Sequence, residues 1–313
     1  MNILFWMDDW DTTHPKKDTT YLLIKACFNQ GLTPYFIQQV QINHGEFFAT
    51  VAAFQPFNLG EPLSISSTQT TLSATEITAV WIRKDPPVDS FYSHTLRLLD
   101  QYKHQFHCFN DPNGVLLNNE KLSANAFQRI TPPTLVASSK ALIVEFINTY
   151  DQVILKPLDG FGGDGIFKVS ANDTNIDPMI ELLTHHQHQF IICQKMVDHS
   201  QGNKRIILVN GEPIGAVKRI NYNGHRNNFM AGGLAEMTTI DAQDMAIIKE
   251  IKPFILDNGL FFTGIDIVDN HLIEINVTSP TGLQEMNALG NASLHDSVIG
   301  KMKEVLTCQT HAN

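Results

Sequence analysis

Short apolar runs alternate with longer amphipathic stretches through the first third of the chain. A helix is predicted to begin at Asp18, a capping residue, and to end at Gly31, and a second is predicted near residues 91–103. Residues 55–75 are polar and lack periodicity, which indicates a long loop. Strands that alternate with helices favour a parallel sheet with crossover connections. The predicted strands are residues 2–7, 33–40 and 79–83.

After residue 119 the spacing changes, because apolar strands follow one another closely. The segments NGEP and VDNH, at residues 210–213 and 268–271, are turn signals that predict antiparallel hairpins. The chain is therefore expected to join an α/β unit to a larger α+β unit. Strands are predicted at 153–158, 165–170, 190–196, 204–220 and 261–278, and helices at 119–127, 138–149, 177–186 and 241–258.

The charge balance and the cysteines limit the classes of partner. The 313 residues include 22 Lys and Arg against 32 Asp and Glu, a net charge of −10 that argues against nucleic acid or an anionic membrane. No apolar stretch approaches the roughly 18 residues that span a bilayer. We expect a cytoplasmic protein with small-molecule ligands and reduced thiols, since its four cysteines are far apart: Cys27, Cys108, Cys193 and Cys308.

The segment KPLDGFGGDG, residues 156–165, contains the pattern G-x-G-x-x-G. A dinucleotide-binding turn would need a helix after Gly165, whereas IFKVS predicts a strand, and this disfavours a nicotinamide oxidoreductase. A hairpin whose glycine N–H groups cover phosphates, with Lys156 as a cation, is one interpretation. A surface hairpin without ligand is the other.

The segment GIDIVDNHLIEINVTSP, residues 264–280, offers oxygen ligands. Glu274 and Asn276 are two positions apart on a strand and so share a face. For Asp266 to lie opposite Glu274, the turn must hold three residues, 269–271, because a two-residue turn would place Asp266 on the other face. Carboxylate and amide oxygens suit Mg²⁺. A solvated hairpin face is the alternative, although the intervening apolar residues favour a covered strand pair.

Five basic residues gather within 23 positions of this acidic chain. Together they predict neutralisation of a transferring phosphoryl group, although each alone reads as a surface cation. They are Lys204, Arg205, Lys218, Arg219 and Arg226.

The segments ILKPLDGFGGDGIF, RKDPP, NEK, RNNFMAGG and IDIVDNHLIEINVTSPT resemble the bacterial glutathione synthetases of the ATP-grasp superfamily, from the first strand to the last helix. The resemblance implies an ATP-grasp fold with a pre-ATP-grasp domain at 1–119, a glycine-loop lid subdomain at 120–200 and a catalytic subdomain with an antiparallel sheet at 201–313. ATP would lie between the last two. It also implies a homo-oligomer.

The same resemblance assigns residues to roles. Substrate contacts fall on Arg83, Arg226, Asn228, Ser279 and Thr281, and phosphoryl transfer on Arg205, Arg219 and Arg226. Two Mg²⁺ ions, or Mn²⁺ in their place, would be bound by Asp266, Glu274 and Asn276. ATP contacts are implied for Lys121, Lys156, Gly162, Gly163, Gln194, Lys195, Met196, Val197 and Asn203.

The implied chemistry is ligation through an acyl phosphate. The carboxylate of γ-glutamylcysteine would attack the γ-phosphorus of ATP, and the amine of glycine would then displace phosphate. A paralogue that joins another amino acid or dipeptide is the alternative. A nucleotide-binding protein without catalysis would be expected to lack a lysine or a metal ligand, and none is missing.

Three positions depart from the family pattern. Asn203 stands where an Asp is typical near the ribose, and Asn227 replaces a glycine of the loop at about 221–233. Gln284 stands where the family has an Arg. If that Arg binds a substrate carboxylate, this protein binds it in another way or prefers another acceptor.

Overall fold

Three β-sheets organise the chain. The structure is a computed structural model that describes residues 1–160, 165–221, 233–290 and 292–310. The sheets contain six, four and five strands in chain order. Within the described ranges, no helix has the length and apolarity that a membrane crossing requires.

The six-stranded sheet is mixed, with the order β4-β3-β2-β1-β5-β6. Strands β2, β1, β5 and β6 run parallel, as the alternation of strands and helices predicted, whereas β2, β3 and β4 form an antiparallel meander. Its strands are β1 Asn2–Trp6, β2 Thr33–Asn43, β3 Glu46–Phe54, β4 Ile65–Ser73, β5 Ala79–Ile82 and β6 His107–Phe109; its helices are α1 Thr19–Asn29, α2 Ser90–Tyr102 and α3 Pro112–Leu117.

The prediction of a loop over residues 55–75 was wrong for residues 65–73, which form β4. This strand lies at the edge of the sheet and pairs with β3 alone. Most of its side chains are exposed, so its sequence has no apolar alternation for a periodicity argument to detect. Its Ser and Thr residues tolerate the extended backbone and keep this edge polar.

Helix α1 ends as its sequence predicted. Gly31 has a φ of +71°, and the N–H groups of Gly31 and Leu32 donate to the last turn of the helix. Asp18 occupies the N-cap position, but its side chain makes no capping hydrogen bond. Its carboxyl group is therefore available for other contacts.

The four-stranded sheet, β7-β10-β8-β9, is antiparallel throughout. The fully buried Ile143, Ile147 and Ile180 belong to its two longer helices and pack in one core with the sheet. The helix predicted to reach residue 186 ends earlier, since residues 185–187 have positive φ values. The elements are α4 Glu120–Ala124, β7 Thr134–Ala137, α5 Lys140–Tyr150, β8 Gln152–Pro157, β9 Phe167–Ser170, α6 Ile176–Leu183 and β10 Ile191–Lys195.

The five-stranded sheet, β13-β12-β11-β14-β15, is also antiparallel. One face packs on α7, and α8 and α9 cover part of the other in a core shared with α1. The remainder of that second face is polar. The elements are β11 Asn203–Val209, β12 Glu212–Ile220, β13 Leu234–Met237, α7 Ala242–Asp257, β14 Phe262–Val268, β15 His271–Asn276, α8 Leu283–Gly290 and α9 Leu294–Thr310.

The buried Asn110 and the half-buried Glu120 fix the segment after β15. Asn110 donates to the carbonyls of Phe262 and Val277 at 2.9 and 2.7 Å and accepts from the N–H of Phe262 at 2.6 Å. The Glu120 carboxylate accepts from both N–H groups of Val277 and Thr278 and from the Thr278 hydroxyl. The first sheet and α4 are thereby joined to β14 and to the segment after β15.

Candidate active site

The β14–β15 hairpin places the predicted metal ligands on one face, but by a different register from the one predicted. Asp266 lies opposite Glu274, as expected. The turn contains only two residues, 269–270, both with positive φ, so the three-residue turn was wrong. The pairing shifts by one residue between Asp266 and Ile267, which leaves Ile273 as a β-bulge. This bulge returns Asp266 to the face of Glu274.

Two arginines share the Asp266 carboxylate. Arg205 donates from Nε to Oδ1 at 2.5 Å and from Nη2 to Oδ2 at 3.0 Å, and Arg219 lies 2.7 Å from Oδ1 through Nη2. All three side chains are buried. Burial opposes ionisation of the carboxyl, but the charges and hydrogen bonds of the two arginines outweigh it and hold the pKa of Asp266 well below its usual range.

The oxygens on this face fit a hard divalent cation. A carboxylate accepts about four hydrogen bonds, and three are used at Asp266, so one position remains on Oδ2. Asn276 donates Nδ2–H to the Gly264 carbonyl at 3.0 Å, which leaves its Oδ1 as an acceptor. Glu274 makes no hydrogen bond or ion pair with any residue that the structure describes. Two carboxylates and one amide therefore remain as candidate ligands for a divalent metal ion.

Lys156 is buried on β8 and donates to Gln194 Oε1 on β10 at 2.9 Å. Gln194 in turn donates to the hydroxyl of Thr134 at 3.0 Å. Burial lowers the pKa of Lys156. Since an ammonium group has three donor positions, this amine keeps capacity for an anionic ligand such as a phosphate.

Lys121 lies at the entrance to the glycine loop. Its Nζ donates to the Gly160 carbonyl at 2.7 Å and to the Leu158 carbonyl at 3.4 Å. The motifs RKDPP and NEK, the start of the glycine loop and the segment after β15 line one cleft. Its lining includes Pro86, Pro87, Lys121, Asp159, Gly160 and Thr278.

Lys195 ends β10, and Met196 and Val197 follow it; all three are predicted ATP contacts. The backbone N–H groups of Lys195 and Met196 donate to the carbonyls of Pro133 and Gln152, and Val197 is half-buried. Asn203, the predicted ribose contact, accepts from Arg219 Nε at 2.8 Å through its Oδ1. These ATP contacts stay predictions.

Arg83, a predicted substrate residue, lies beneath the segment after β15. It donates to the Thr20 hydroxyl and to the Pro280 carbonyl, each at 3.0 Å, and lies over the Phe262 ring at 5.4 Å. Its Nη1 is buried and has no hydrogen-bond partner in the described part of the chain. Burial lowers the pKa of Arg83 to about 10.

Two carboxyl groups beside Arg83 were missed by the sequence reasoning. Asp18 is half-buried and Asp85 is exposed, and desolvation raises the pKa of each although the charge of Arg83 opposes this. Asp85 also accepts a hydrogen bond from the Ser279 hydroxyl, which places a second predicted substrate residue here. Asp85 lies inside the RKDPP motif, and that was the one available signal.

Of the remaining predicted residues, Thr281 and Gln284 lie in the described part of the chain and five lie outside it. Thr281 accepts from Arg205 Nη1 at 3.1 Å through its carbonyl. Gln284 donates to the carbonyls of Pro15 and Asp18 at 2.7 and 3.2 Å. Outside the described residues lie Gly162, Gly163, Arg226, Asn227 and Asn228.

Comparisons with known proteins relate both parts of the chain to one family. The profile of the prokaryotic glutathione synthetase N-terminal domain matches residues 1–115, and that of the ATP-grasp domain matches residues 120–291. The glutathione synthetase of Prochlorococcus marinus subsp. pastoris is 34% identical over 316 residues, covering 98% of this chain and 100% of that protein. That of Prochlorococcus marinus strain MIT 9313 is 35% identical over 310 residues, covering 96% and 98%.

Among solved structures, the D-cycloserine synthetase DcsG superposes with a TM-score of 0.65 over 97% of this chain and 99% of its own. Its sequence identity is 15%, so this likeness concerns the fold alone. The two profiles cover both the first sheet and the region that carries the polar face. The chain therefore belongs to the prokaryotic glutathione synthetase family, with an ATP-grasp fold in its second part.

Proposed function

We propose that this protein is an ATP-dependent ligase that joins γ-glutamylcysteine to glycine and releases ADP and phosphate. The observation that carries the proposal is the convergence of four sequence motifs on one cleft beside Lys121. Both relatives named above are glutathione synthetases, which favours this reaction over ligation of a different amino acid or dipeptide.

The arginine pair would act on the transferring phosphoryl group. Arg205 and Arg219 are fixed by Asp266 before substrate arrives, so their charges need no reorganisation during transfer. Lys121 and Lys156 would bind the phosphates of ATP. The carboxylate of the dipeptide would attack the γ-phosphorus to give an acyl phosphate, which the acceptor amine then opens.

Asp266, Glu274 and Asn276 would hold Mg²⁺, and we propose two ions. Bound there, Mg²⁺ would neutralise charge on the phosphate oxygens. Arg83 would bind a substrate carboxylate through Nη1. The carboxylate would be the hydrogen-bond partner that this buried atom lacks among the described residues. Arg226 and Asn228 would complete the substrate contacts.

The domain limits at residues 119 and 200, a homo-oligomeric state and a cytoplasmic location are parts of the same proposal. The limits fall between elements, since α3 ends at Leu117 and β10 ends at Lys195. The cytoplasmic location is supported by the cysteines, which form no disulfide among the described residues.

The test is ADP release with γ-glutamylcysteine, ATP and Mg²⁺, while the amine is varied. Release should require the dipeptide and should be greatest with glycine. Glu274→Gln should abolish release, whereas Glu250→Gln, an exposed control on α7, should retain it. Release that depends on neither dipeptide nor amine would exclude this function, and preference for another amine would favour the paralogue.

A further inference from the structure

The first turn of α8 lies against the arginine pair. The helix begins at Leu283, two residues after Thr281, whose carbonyl accepts from Arg205 Nη1 at 3.1 Å. Gly282 is so close to Arg205 that a Cβ atom there would lie 3.4 Å from its Cγ. Glu285, which no family motif assigned, stands in this turn.

Glu285 carries a carboxylate that the fold does not satisfy. The side chain is half-buried, and its Oε2 is buried without a hydrogen-bond partner among the described residues. Burial raises the pKa of Glu285, while its own backbone N–H and the charges of Arg219, Arg205 and Lys17 oppose this. An unpaired buried oxygen costs about 1–3 kcal/mol or more, so stability does not explain this residue.

Gln284 holds the segment that contains Lys17 close to Glu285. Its amide donates to the carbonyls of Pro15 and Asp18, and this ties the segment before α1 to the start of α8. Lys17 lies within that segment, is exposed, and is close enough for its charge to act on Glu285. The Lys17 ammonium group and the Glu285 carboxylate thus lie within electrostatic reach of one another. An amino acid carries the two complementary charges.

We propose that Glu285 binds the ammonium group of the amino-acid acceptor and takes the proton that this amine must lose before it attacks, while Lys17 binds the acceptor carboxylate. The inference rests on the proposed function and adds the acceptor subsite to it. It also gives Gln284 a role: with no arginine at this position, the glutamine places Lys17 where a carboxylate can be bound.

The acceptor nitrogen loses two protons as the amide forms. Glu285 takes one proton from the acceptor ammonium, and the freed amine lone pair forms the C–N bond with the acyl carbon. The C–O bond to phosphate breaks, and the departing phosphate oxygen takes the second proton from nitrogen. Glu285 returns its proton to water, so no further reactant is needed.

Hydroxylamine separates this role from phosphoryl transfer. It is largely unprotonated at neutral pH and carries no carboxylate, so it should trap the acyl phosphate as a hydroxamate without either group. In Glu285→Gln, kcat/KM for glycine should fall about 100-fold or more, while hydroxamate formation stays within about twofold of wild type. Glu304→Gln, an exposed glutamate on α9, is the matched control.

Lys17 and the pH profile supply independent readouts. Lys17→Met should raise KM for glycine about tenfold and leave the hydroxamate reaction unchanged, whereas Lys16→Met, an exposed neighbour, should change neither. In wild type, kcat/KM for glycine should fall as pH drops and Glu285 becomes protonated. That acidic limb should be missing in Glu285→Gln.

Two outcomes would overturn the inference while the proposed function stands: Glu285→Gln with an unchanged kcat/KM for glycine, or an equal loss with glycine and hydroxylamine. The second outcome would assign Glu285 to phosphoryl transfer or folding instead. If wild type forms no hydroxamate from γ-glutamylcysteine and ATP, the proposed function itself fails.

Discussion

Replacing Asp266 by Asn should destabilise the protein strongly, apart from any effect on catalysis. Its carboxylate is the single anion that hydrogen-bonds both Arg205 and Arg219 among the described residues. Without it, each guanidinium keeps a neutral oxygen partner, Thr281 for Arg205 and Asn203 for Arg219. Removing one partner of a buried ion pair typically costs about 3–5 kcal/mol, and we expect a loss in that range.

Glu274→Gln is the matched comparison, because Glu274 shares the face and the proposed metal with Asp266. It makes no hydrogen bond or ion pair with any described residue, so its neutral isostere should change stability by less than about 1 kcal/mol. Both variants should lose Mg²⁺-dependent activity. Asp266→Asn alone should lower the urea midpoint, by about 1–2 M with an m value of about 2–3 kcal/mol/M.

The assay is urea unfolding monitored by circular dichroism, in the absence of ATP and metal. The folded pKa of Asp266 lies below its unfolded value, so its stabilisation is complete above the ordinary carboxyl range. It is lost only as pH falls through the lowered folded pKa. The difference between wild type and Asp266→Asn should therefore be constant from neutral to mildly acidic pH. Equal midpoints for the two variants would refute the structural role of Asp266.

Two further predictions concern the lid and the helices. Lys156→Met should weaken ATP binding, measured by calorimetry, about 10–100-fold, because a charged hydrogen bond worth about 1.5–3 kcal/mol is lost. It should not lower the urea midpoint, since burial already disfavours the charged form of Lys156. An unchanged affinity for ATP would contradict the phosphate-binding role of Lys156. Gly114→Ala should destabilise the protein by about 1–3 kcal/mol or more, because the new Cβ would lie 2.1 Å from the Asn258 carbonyl oxygen. Gly300→Ala on α9, where a Cβ would meet no atom within 4 Å, should stabilise the protein by about 0.5–1 kcal/mol. Thermal melts that rank the two variants otherwise would contradict the close packing of Gly114 against Asn258.

The hairpins could be predicted because their residues carry a local signal. In β14 and β15 the apolar positions alternate with Asp266, Glu274 and Asn276, so one face had to be buried and the other polar. The bulge at Ile273 could not be predicted, because no residue type requires it. It follows from a two-residue turn and a buried face that must both be satisfied. The edge strand β4 was not predicted, because neither of its faces is mostly apolar and its sequence therefore shows no alternation.

The site residues that the sequence reasoning missed acquire their roles through distant contacts. Asn110 donates hydrogen bonds to the carbonyls of Phe262 and Val277, more than 150 positions away, and the residues next to it in the sequence do not indicate these contacts. Glu285 reads as an ordinary acidic residue in a first helical turn. Only the fold places it beside Arg219 and Lys17. Asp18 was assigned to helix capping, which it does not perform.

The departure at Asn203 fits the charge balance of the polar face. On that face the two arginines are matched by two carboxylates, those of Asp266 and Glu274. An aspartate at position 203 would bring a third carboxylate within 2.8 Å of Arg219, the distance at which Asn203 now accepts. That carboxylate would compete with Asp266 for the Arg219 guanidinium. Asparagine keeps the hydrogen bond that orients Arg219 without adding that charge, so Arg219 stays paired with Asp266.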